Sequence, residues 1–222
     1  MKKIFFALVF FIVVISYIFY FQCRIVDLHS YFPTLPTVNQ YHVLKIKEDK
    51  KIEYRLKVKF VRDNHSNSIR WVQDDGNYKI LAITSQGLSV LKDVDESGSY
   101  REYSSPVVWI PKKLSLSRPF TQRCYYIQYL PDGKEEDRGR GIEEIKIFFL
   151  GEEILKLSSG KFRTAKIFIM NKYREENGDY GWSFKTIWLA KNRGYVKEEE
   201  IFIKFKRSNR GFVHHIIQEV IR

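Results

Sequence analysis

The residue types that most often bind metals or act as nucleophiles are sparse in this chain, which has five histidines and two cysteines. His214 and His215 are adjacent in a predicted strand, so their side chains point to opposite faces and cannot bind one metal ion together. The sequence contains no HExxH motif and no CxxC pair, and the 139–141 turn is too short to cradle a phosphate. We therefore expect neither a metal nor any other cofactor.

Cys124 could act as a nucleophile if a histidine lay beside it in the fold. A lone cysteine in a predicted strand is more often a small, buried hydrophobic residue. The acidic runs at 135–137, 175–176 and 198–200 lie beside predicted turns or on strand edges, where solvated charge opposes edge-to-edge aggregation. These patterns predict that the protein is not an enzyme.

The chain is strongly basic, with a net charge of +12. Outside the cytoplasm the abundant polyanions are lipid head groups and cell-wall polymers, so we expect an anionic lipid or wall polymer as partner and no nucleic acid. A solvated basic surface without a partner is the alternative. The candidate residues lie on strand faces predicted to look outward: Arg55, Lys57, Lys59, Lys204, Lys206, Arg207 and Arg210.

Residues 4–21 form an uncharged apolar segment of eighteen residues. As a helix it would span roughly 27 Å, close to the thickness of a bilayer core. A cleaved signal peptide is the alternative, although its apolar stretch is usually shorter and ends in small residues. A lipoprotein signal at Cys23 is a lesser alternative, against which Gln22 argues because a small residue is expected directly before a lipidated cysteine. The sequence therefore predicts an anchor or uncleaved signal at 1–23, an extended stalk at 24–40 that contains two prolines, and one domain at 41–222.

The charges that flank this segment predict its orientation. Lys2 and Lys3 precede it, whereas Arg24 and Asp27 follow it, so the positive-inside bias leaves the N-terminus in the cytoplasm. We expect a single-pass protein of the plasma membrane, held in the membrane by residues 4–21, with the bulk of the chain outside the cytoplasm.

Period-two hydrophobicity runs through the remaining chain and is clearest at 51–61, where apolar and charged residues alternate. Similar segments at 69–73, 78–84, 88–94, 100–103, 123–129 and 142–150 are bounded by turn residues such as Asp75-Gly76 and Asn177-Gly178. At 107–116 we expect a strand and loop, with a short helix as the alternative. The fold class is mainly β: a single curved antiparallel sheet, half-barrel or barrel, preceded by one transmembrane helix.

The stretch 155–205 contains a Gly-Lys-Phe strand start at 160–162 and a Trp-Leu-Ala-Lys-Asn-Arg-Gly-Tyr-Val-Lys hairpin at 188–197. It resembles uncharacterised bacterial envelope proteins, domain-of-unknown-function families whose curved antiparallel sheet is similar to that of lipoprotein carriers. The resemblance implies a strongly bent sheet, a groove for an apolar ligand and no catalytic residue. The motif residues are Gly160, Phe162, Trp188, Gly194 and Val196.

Even spacing places Trp182, Phe184 and Trp188 on one face of a predicted strand, and we expect their rings to fill a core between sheet layers. Two functions follow from these features. The first is a membrane-anchored envelope binding or scaffold module with a basic surface. The alternative is a carrier or sensor of a lipid or isoprenoid, held in the concave side of the sheet.

Overall fold

The computed structural model describes residues 25–33, 35–47, 50–62, 68–206 and 211–221. The predicted anchor at 1–23 lies outside this part of the chain. In the part that is described, no helix has the length and apolarity that a membrane span requires.

Strands make up nearly all of the described chain, and a single turn of 3-10 helix covers His29–Tyr31. The strands in chain order are β1 (Ile25–Asp27), β2 (Thr37–Lys47), β3 (Lys50–Arg62), β4 (Ile69–Gln73), β5 (Tyr78–Ile83), β6 (Gly87–Val94), β7 (Tyr100–Pro111), β8 (Lys113–Ser115), β9 (Phe120–Tyr129), β10 (Glu135–Leu157), β11 (Gly160–Glu175), β12 (Tyr180–Ala190), β13 (Gly194–Phe205) and β14 (Gly211–Val220).

Twelve of these strands close into one antiparallel barrel in the order β10-β11-β12-β13-β14-β2-β3-β4-β5-β6-β7-β9. Closure comes from β9, which pairs with β10 on one side and with Tyr100–Tyr103 of β7 on the other. Closure gives every strand of the barrel a neighbour on both sides, although the pairing covers only part of β3 and β7. This reduces the length of free sheet edge, which is the usual site of edge-to-edge aggregation. The mainly β, antiparallel prediction is confirmed, and of the predicted forms the barrel is the one observed.

The alternation at 51–61 is confirmed in its second half, where Leu56, Val58 and Phe60 are buried in the barrel. Ile52 and Tyr54 share their face but are 49% and 39% exposed. The reason is that β4 pairs only with residues 58–62 of β3, so the start of β3 lacks a neighbour on that side. Residues 107–116 form the end of β7 and then β8, as the strand prediction had it.

The predicted stalk at 24–40 is not an exposed linker where the structure describes it. Leu28, Tyr31 and Phe32 are buried in the core, and β1 pairs with β8. The amide of Asn192 donates to the carbonyl oxygen of Ser30 at 2.9 Å. Residues 25–33 therefore plug one end of the barrel, and β2 begins at 37. Burial of their apolar side chains is favourable in free energy, whereas an exposed linker would leave them in water.

We call the end closed by residues 25–33 the plugged end and the opposite end the open end. The turns at 158–159 and 191–193 lie at the plugged end, and those at 74–77, 95–99, 130–134 and 176–179 lie at the open end. The predicted tight turns at Gly76 and Gly178 are confirmed, since both glycines have positive φ, at 97° and 89°. The apolar core lies towards the plugged end.

Trp182, Phe184 and Trp188 share one face of β12, as predicted, but that face is the outer one. The inner face carries Ser183 and Lys185, and Ile187 lies fully buried on the same side. The prediction of a core role was wrong for Trp182 and Phe184, because alternation separates two faces without revealing which one a closed sheet turns inward. Trp188 is 5% exposed and belongs to the buried apolar cluster, as predicted.

Candidate functional site

Three of the predicted basic residues, Arg55, Lys57 and Lys59, lie exposed on the outer face of β3. Lys206 is also exposed, directly after β13, whereas Arg207 and Arg210 lie outside the described residues. Lys204 was predicted to face outward, and this was wrong. Its side chain points into the barrel, where its Nζ is 3.6 Å from Glu175 Oε1 and 3.4 Å from an Asp179 carboxylate oxygen.

The outer wall of β11–β14 and β2 is apolar over several neighbouring strands. Phe184 of β12 pairs directly with Met170 of β11 and Ile201 of β13, and Phe168 stacks on Phe184 at 6.5 Å between ring centroids. Val213 is 53% exposed and Ile201 42% exposed. We call this surface the outer apolar band: Leu44, Ile46, Phe168, Met170, Trp182, Phe184, Ile201, Ile203, Val213 and Ile217.

Basic side chains border the outer apolar band on both sides. On the β3 side, Leu44 and Ile46 of the band pair with Glu53 and Lys51, which form an ion pair with each other. Arg55, Lys57 and Lys59 continue the same outer face of β3 towards the plugged end. On the β10 and β11 side the basic residues are Lys146, Lys172 and Arg174, which are exposed and form no ion pair with another described residue. The band and its borders together form an amphipathic wall.

Trp188 lies on this outer wall between two lysines. The Nζ atoms of Lys166 and Lys197 lie 4.8 Å and 5.2 Å from the centre of its ring system, and its Nε1 donates to Glu153. Such cation–π contacts cover the indole and leave it 5% exposed. Among the other motif residues, Gly160 and Gly194 begin β11 and β13 with positive φ, Val196 is fully buried and Phe162 packs against the core.

The barrel interior towards the open end is charged. We call this region the charged chamber and define it by four cationic and six carboxylate side chains: Lys79, Arg101, Lys185, Lys204, Asp93, Glu143, Glu175, Asp179, Glu198 and Glu200. Eight of them line a cavity of about 250 Å³, whose apolar lining includes Trp109, Ile145 and Ile169. The predicted position of Glu198 and Glu200 on a solvated edge was wrong.

Arg101 is the central cation of the charged chamber. Its Nη1 lies 3.4 Å from Glu143 Oε1 and its Nη2 lies 3.9 Å from Glu175 Oε1. Its guanidinium also lies 4.7 Å from the ring centre of Tyr126. Burial raises the pKa of Glu143, although Arg101 and a hydrogen bond from Asn171 oppose the rise. The carboxyl of Glu143 is therefore easier to protonate than an exposed one.

Lys185 is held between two carboxylates on β13. Its Nζ is 3.1 Å from Glu198 Oε1 and 3.4 Å from Glu200 Oε2. The Ser183 hydroxyl donates to Glu200 at 2.6 Å. Burial opposes the charge on Lys185, but the two carboxylates outweigh it and raise the pKa of the ammonium. Lys185 therefore stays charged inside the barrel.

Two tyrosine rings of the chamber wall lie directly over glycines on the neighbouring strand. Tyr126 pairs with Gly141 and Tyr173 pairs with Gly181. A Cβ atom at Gly181 would lie 2.3 Å from the backbone oxygen of Ile203 and 2.6 Å from Tyr173 Cε1, so only glycine leaves room for both. Both tyrosine hydroxyls are buried without a hydrogen-bond partner among the described residues.

Cys124 lies on the inner face of β9 and is 2% exposed. Its Sγ is 3.7 Å from the backbone oxygen of Glu143, and burial raises the pKa of the thiol to about 12. The thiolate needed for nucleophilic attack is thus disfavoured. The described residues also contain no group of three or more His, Cys, Asp or Glu side chains arranged to hold a metal ion. The absence of catalysis and of a cofactor stays a prediction.

The sequence contained a signal for the charged chamber that the strand predictions did not use. Glu198, Glu200 and Lys204 alternate along β13, and Ser183 and Lys185 alternate along the facing part of β12. Polar residues at every second position of two neighbouring strands indicate one shared polar face. That signal identifies the face, but not that it points inward.

No protein-family model matches the sequence, and no curated protein sequence matches it significantly. Three solved structures are similar in shape. A candidate lipoprotein from Parabacteroides distasonis has 11% identity and a TM-score of 0.44, covering 86% of this chain and 97% of its own. The hypothetical lipoprotein YmcC from Escherichia coli has 8% identity and a TM-score of 0.44, covering 86% and 89%.

A candidate exported protein with a YmcC-like fold from Bacteroides fragilis has 13% identity and a TM-score of 0.37, covering 86% of this chain and 98% of its own. All three TM-scores are below 0.5, so the similarity assigns this chain neither a family nor a function. The resemblance of residues 155–205 to envelope families stays a prediction.

Proposed function

We propose that this protein is a membrane-anchored envelope module whose barrel lies against an anionic bilayer surface through the outer apolar band. Residues 4–21 are the anchor in this proposal, and the barrel lies outside the cytoplasm. The observation that carries the proposal is an apolar, aromatic wall bordered on both sides by exposed basic residues.

This wall is better suited to contact with a bilayer surface than to exposure to water. Large exposed apolar areas are unfavourable in water, and aromatic rings such as Trp182 and Phe184 are suited to the boundary between head groups and acyl chains. Each basic side chain near an anionic surface adds about 1 kcal/mol of attraction. Lys146, Lys172 and Arg174 are available for this because they have no ion-pair partner among the described residues.

The alternative function, a carrier of an apolar ligand inside the barrel, has less support. The cavity in the barrel is bounded by Arg101, Glu143, Lys185 and Glu200. A lipid or isoprenoid placed there would desolvate these charged groups without offering them hydrogen bonds, which is costly. An apolar ligand therefore suits the outer wall better than the interior.

The membrane proposal is tested with the full chain in lipid nanodiscs and an environment-sensitive fluorophore on a single cysteine, after Cys23→Ser and Cys124→Ala have removed the two native thiols. Val213→Cys places the fluorophore in the outer apolar band, and Ile83→Cys places it on β5, across the barrel. The two positions are matched in exposure, at 53% and 54%. We expect brominated anionic lipids to quench the fluorophore at 213 and to leave the one at 83 unchanged.

Reversing the β3 border with Arg55→Glu, Lys57→Glu and Lys59→Glu should abolish the quenching at 213, as should fully zwitterionic lipid. Equal quenching at 213 and 83, or quenching at 213 that is unchanged by the charge reversal, would reject the proposal. Binding of the chain to purified anionic wall polymer without quenching at 213 would reject the bilayer as the partner.

The orientation is tested separately in intact cells. Ser97 is exposed in the turn between β6 and β7. We expect a membrane-impermeant maleimide to label Ser97→Cys from outside in the chain that lacks Cys23 and Cys124, and the mature chain to retain residues 1–21. Labelling only after lysis would reverse the orientation and make an intracellular polyanion the leading partner.

A further inference from the structure

The charged chamber has more negative than positive side chains. Its six carboxylates face four cations, and each cation is already paired. Arg101 pairs with Glu143 and Glu175, and Lys185 pairs with Glu198 and Glu200. Arg101 and Lys185 are thus two cations that are shared among four carboxylates. Lys79 pairs with Asp93, and Lys204 pairs with Glu175 and Asp179. The cavity itself is lined by the four cations and four of the carboxylates, whereas the two surplus carboxylates, Asp179 and Glu198, contribute as the ion-pair partners of Lys204 and Lys185. A buried site with surplus negative charge is complementary to a cation.

A path connects the charged chamber to the open end. A second cavity of about 380 Å³ shares Lys79, Asp93 and Arg101 with the chamber cavity and extends to the turns at 74–77 and 95–99. A third cavity, of about 570 Å³, continues from these turns. Its charged lining residues are one lysine and three acids: Lys45, Asp75, Asp95 and Glu96. The mouth is therefore acidic on a chain that is basic overall, which favours entry of cations.

The chamber also holds buried polar atoms that lack a partner. Tyr173 is 6% exposed and lines the cavity, yet its hydroxyl makes no hydrogen bond to a described residue. The same holds for the amide oxygen Oδ1 of Asn171, whose Nδ2 donates to Glu143. An unpaired buried polar group costs free energy, so both atoms are set to receive a donor.

An aromatic surface completes the chamber. The rings of Tyr173 and Phe202 stack at 5.8 Å with an angle of 2° between them, and both residues line the cavity. Aromatic faces attract organic cations. These features also favour an organic cation over a metal ion, because the described residues form no metal-binding group.

We propose that the charged chamber is a binding site for a small organic cation that carries a primary ammonium group. An ammonium has three N–H donors and no acceptor, which matches a wall of carboxylates, the Asn171 amide oxygen and the Tyr173 hydroxyl. The surplus of two carboxylates favours a diammonium compound over a monoammonium one. This site is independent of the outer apolar band.

The test is isothermal titration calorimetry of the full chain in a mild detergent with three probes: 1,4-diaminobutane, n-butylamine and 1-butanol. We expect the diammonium compound to bind more tightly than the monoammonium one and the neutral alcohol not to bind. No binding of 1,4-diaminobutane up to about 10 mM, or equal binding of the alcohol, would overturn the proposal.

Tyr173→Phe separates a ligand-binding role from a structural one. The variant removes only the hydroxyl, so the affinity for 1,4-diaminobutane should fall by about tenfold or more. The melting temperature without probe should be unchanged or higher, because the lost hydroxyl had no partner among the described residues. Tyr180→Phe, on the outer surface and 40% exposed, is the matched control and should change neither quantity.

Unchanged affinity in Tyr173→Phe would overturn the assignment of the chamber as the site. Loss of affinity that is accompanied by an equal loss in the Tyr180→Phe control would overturn it as well.

Discussion

Replacing Lys185 with methionine should lower the free energy of unfolding by about 3–5 kcal/mol at pH 8. Methionine has a similar length but no charge, so the change leaves the packing nearly intact and removes the cation between Glu198 and Glu200. The two carboxylates are 7% and 18% exposed, so water cannot replace the lost ammonium.

The magnitude follows from the distances in the structure. At 3.1 Å and 3.4 Å, each ion pair has a gross attraction of about 5 kcal/mol at an effective dielectric constant of about 20. Desolvation of Lys185 offsets much of that sum in the parent protein. Breaking a buried pair from one side leaves unpaired charge, and the usual loss of about 3–5 kcal/mol applies.

The loss should depend on pH. In the parent protein burial raises the pKa of Glu198 against the attraction of Lys185. Burial also acts to raise the pKa of Glu200, but Lys185 and the Ser183 hydroxyl outweigh it and lower that pKa. Without Lys185 the pKa values of both carboxyls should be raised in the folded state.

A carboxyl whose pKa is raised on folding takes up a proton when the chain folds, so its contribution to stability is present at low pH and is lost as pH rises through the folded-state pKa. The variant should therefore regain stability between pH 8 and pH 5. The slope is limited to about 1.4 kcal/mol per pH unit for each carboxyl.

The measurement is urea unfolding of the full chain in a mild detergent, followed by tryptophan fluorescence at pH 8 and pH 5. Lys172→Met, on the exposed outer face, is the control and should change the free energy by about 0.5 kcal/mol or less. Adding Glu198→Gln and Glu200→Gln to Lys185→Met should restore most of the loss. A loss below about 1 kcal/mol, or one that is equal at both pH values, would refute this account of the pair.

Three further predictions concern the plug, the glycine under an aromatic ring, and the buried thiol. Leu28→Ala should cost about 2–5 kcal/mol in urea unfolding because Leu28 is fully buried, whereas Ile25→Ala, at a position 63% exposed, should cost about 0.5 kcal/mol or less. Gly181→Ala should cost about 1–3 kcal/mol in the same assay, since its Cβ would press on the backbone oxygen of Ile203 and on the ring of Tyr173, and stability equal to the parent would contradict these contacts. Cys124 should resist iodoacetamide at pH 8 in the folded chain and react in urea, as judged by peptide mapping, because burial raises the pKa of its thiol to about 12.

Local features of this fold could be predicted from the sequence. The alternation in 51–61 predicted the inward face of β3 at Leu56, Val58 and Phe60, and the Asn-Gly and Asp-Gly pairs predicted tight turns. These features depend on neighbouring residues only: a strand has a period of two, and glycine accepts positive φ. Because tight turns connect strands as hairpins, they also predicted antiparallel pairing.

The position of the candidate sites could not be predicted in this way. The sequence predicted Lys204 and Glu198 to be surface charges and Trp182 to be a core residue. In the barrel, Lys204 and Glu198 point inward and Trp182 points outward. Both faces of β12 and β13 carry apolar residues, so hydrophobicity alone cannot assign the inner face. The assignment depends on which charges meet across the closed barrel.

The sequence by itself determined strands, turns, antiparallel pairing and a basic overall charge, because each depends on local periodicity or composition. Only the tertiary structure decided that β9 meets β7, that residues 25–33 plug one end, and that acids and bases from distant strands share one chamber. The physical reason is that these contacts join residues far apart in the chain, and their energies arise only once closure of the barrel brings them together and excludes water.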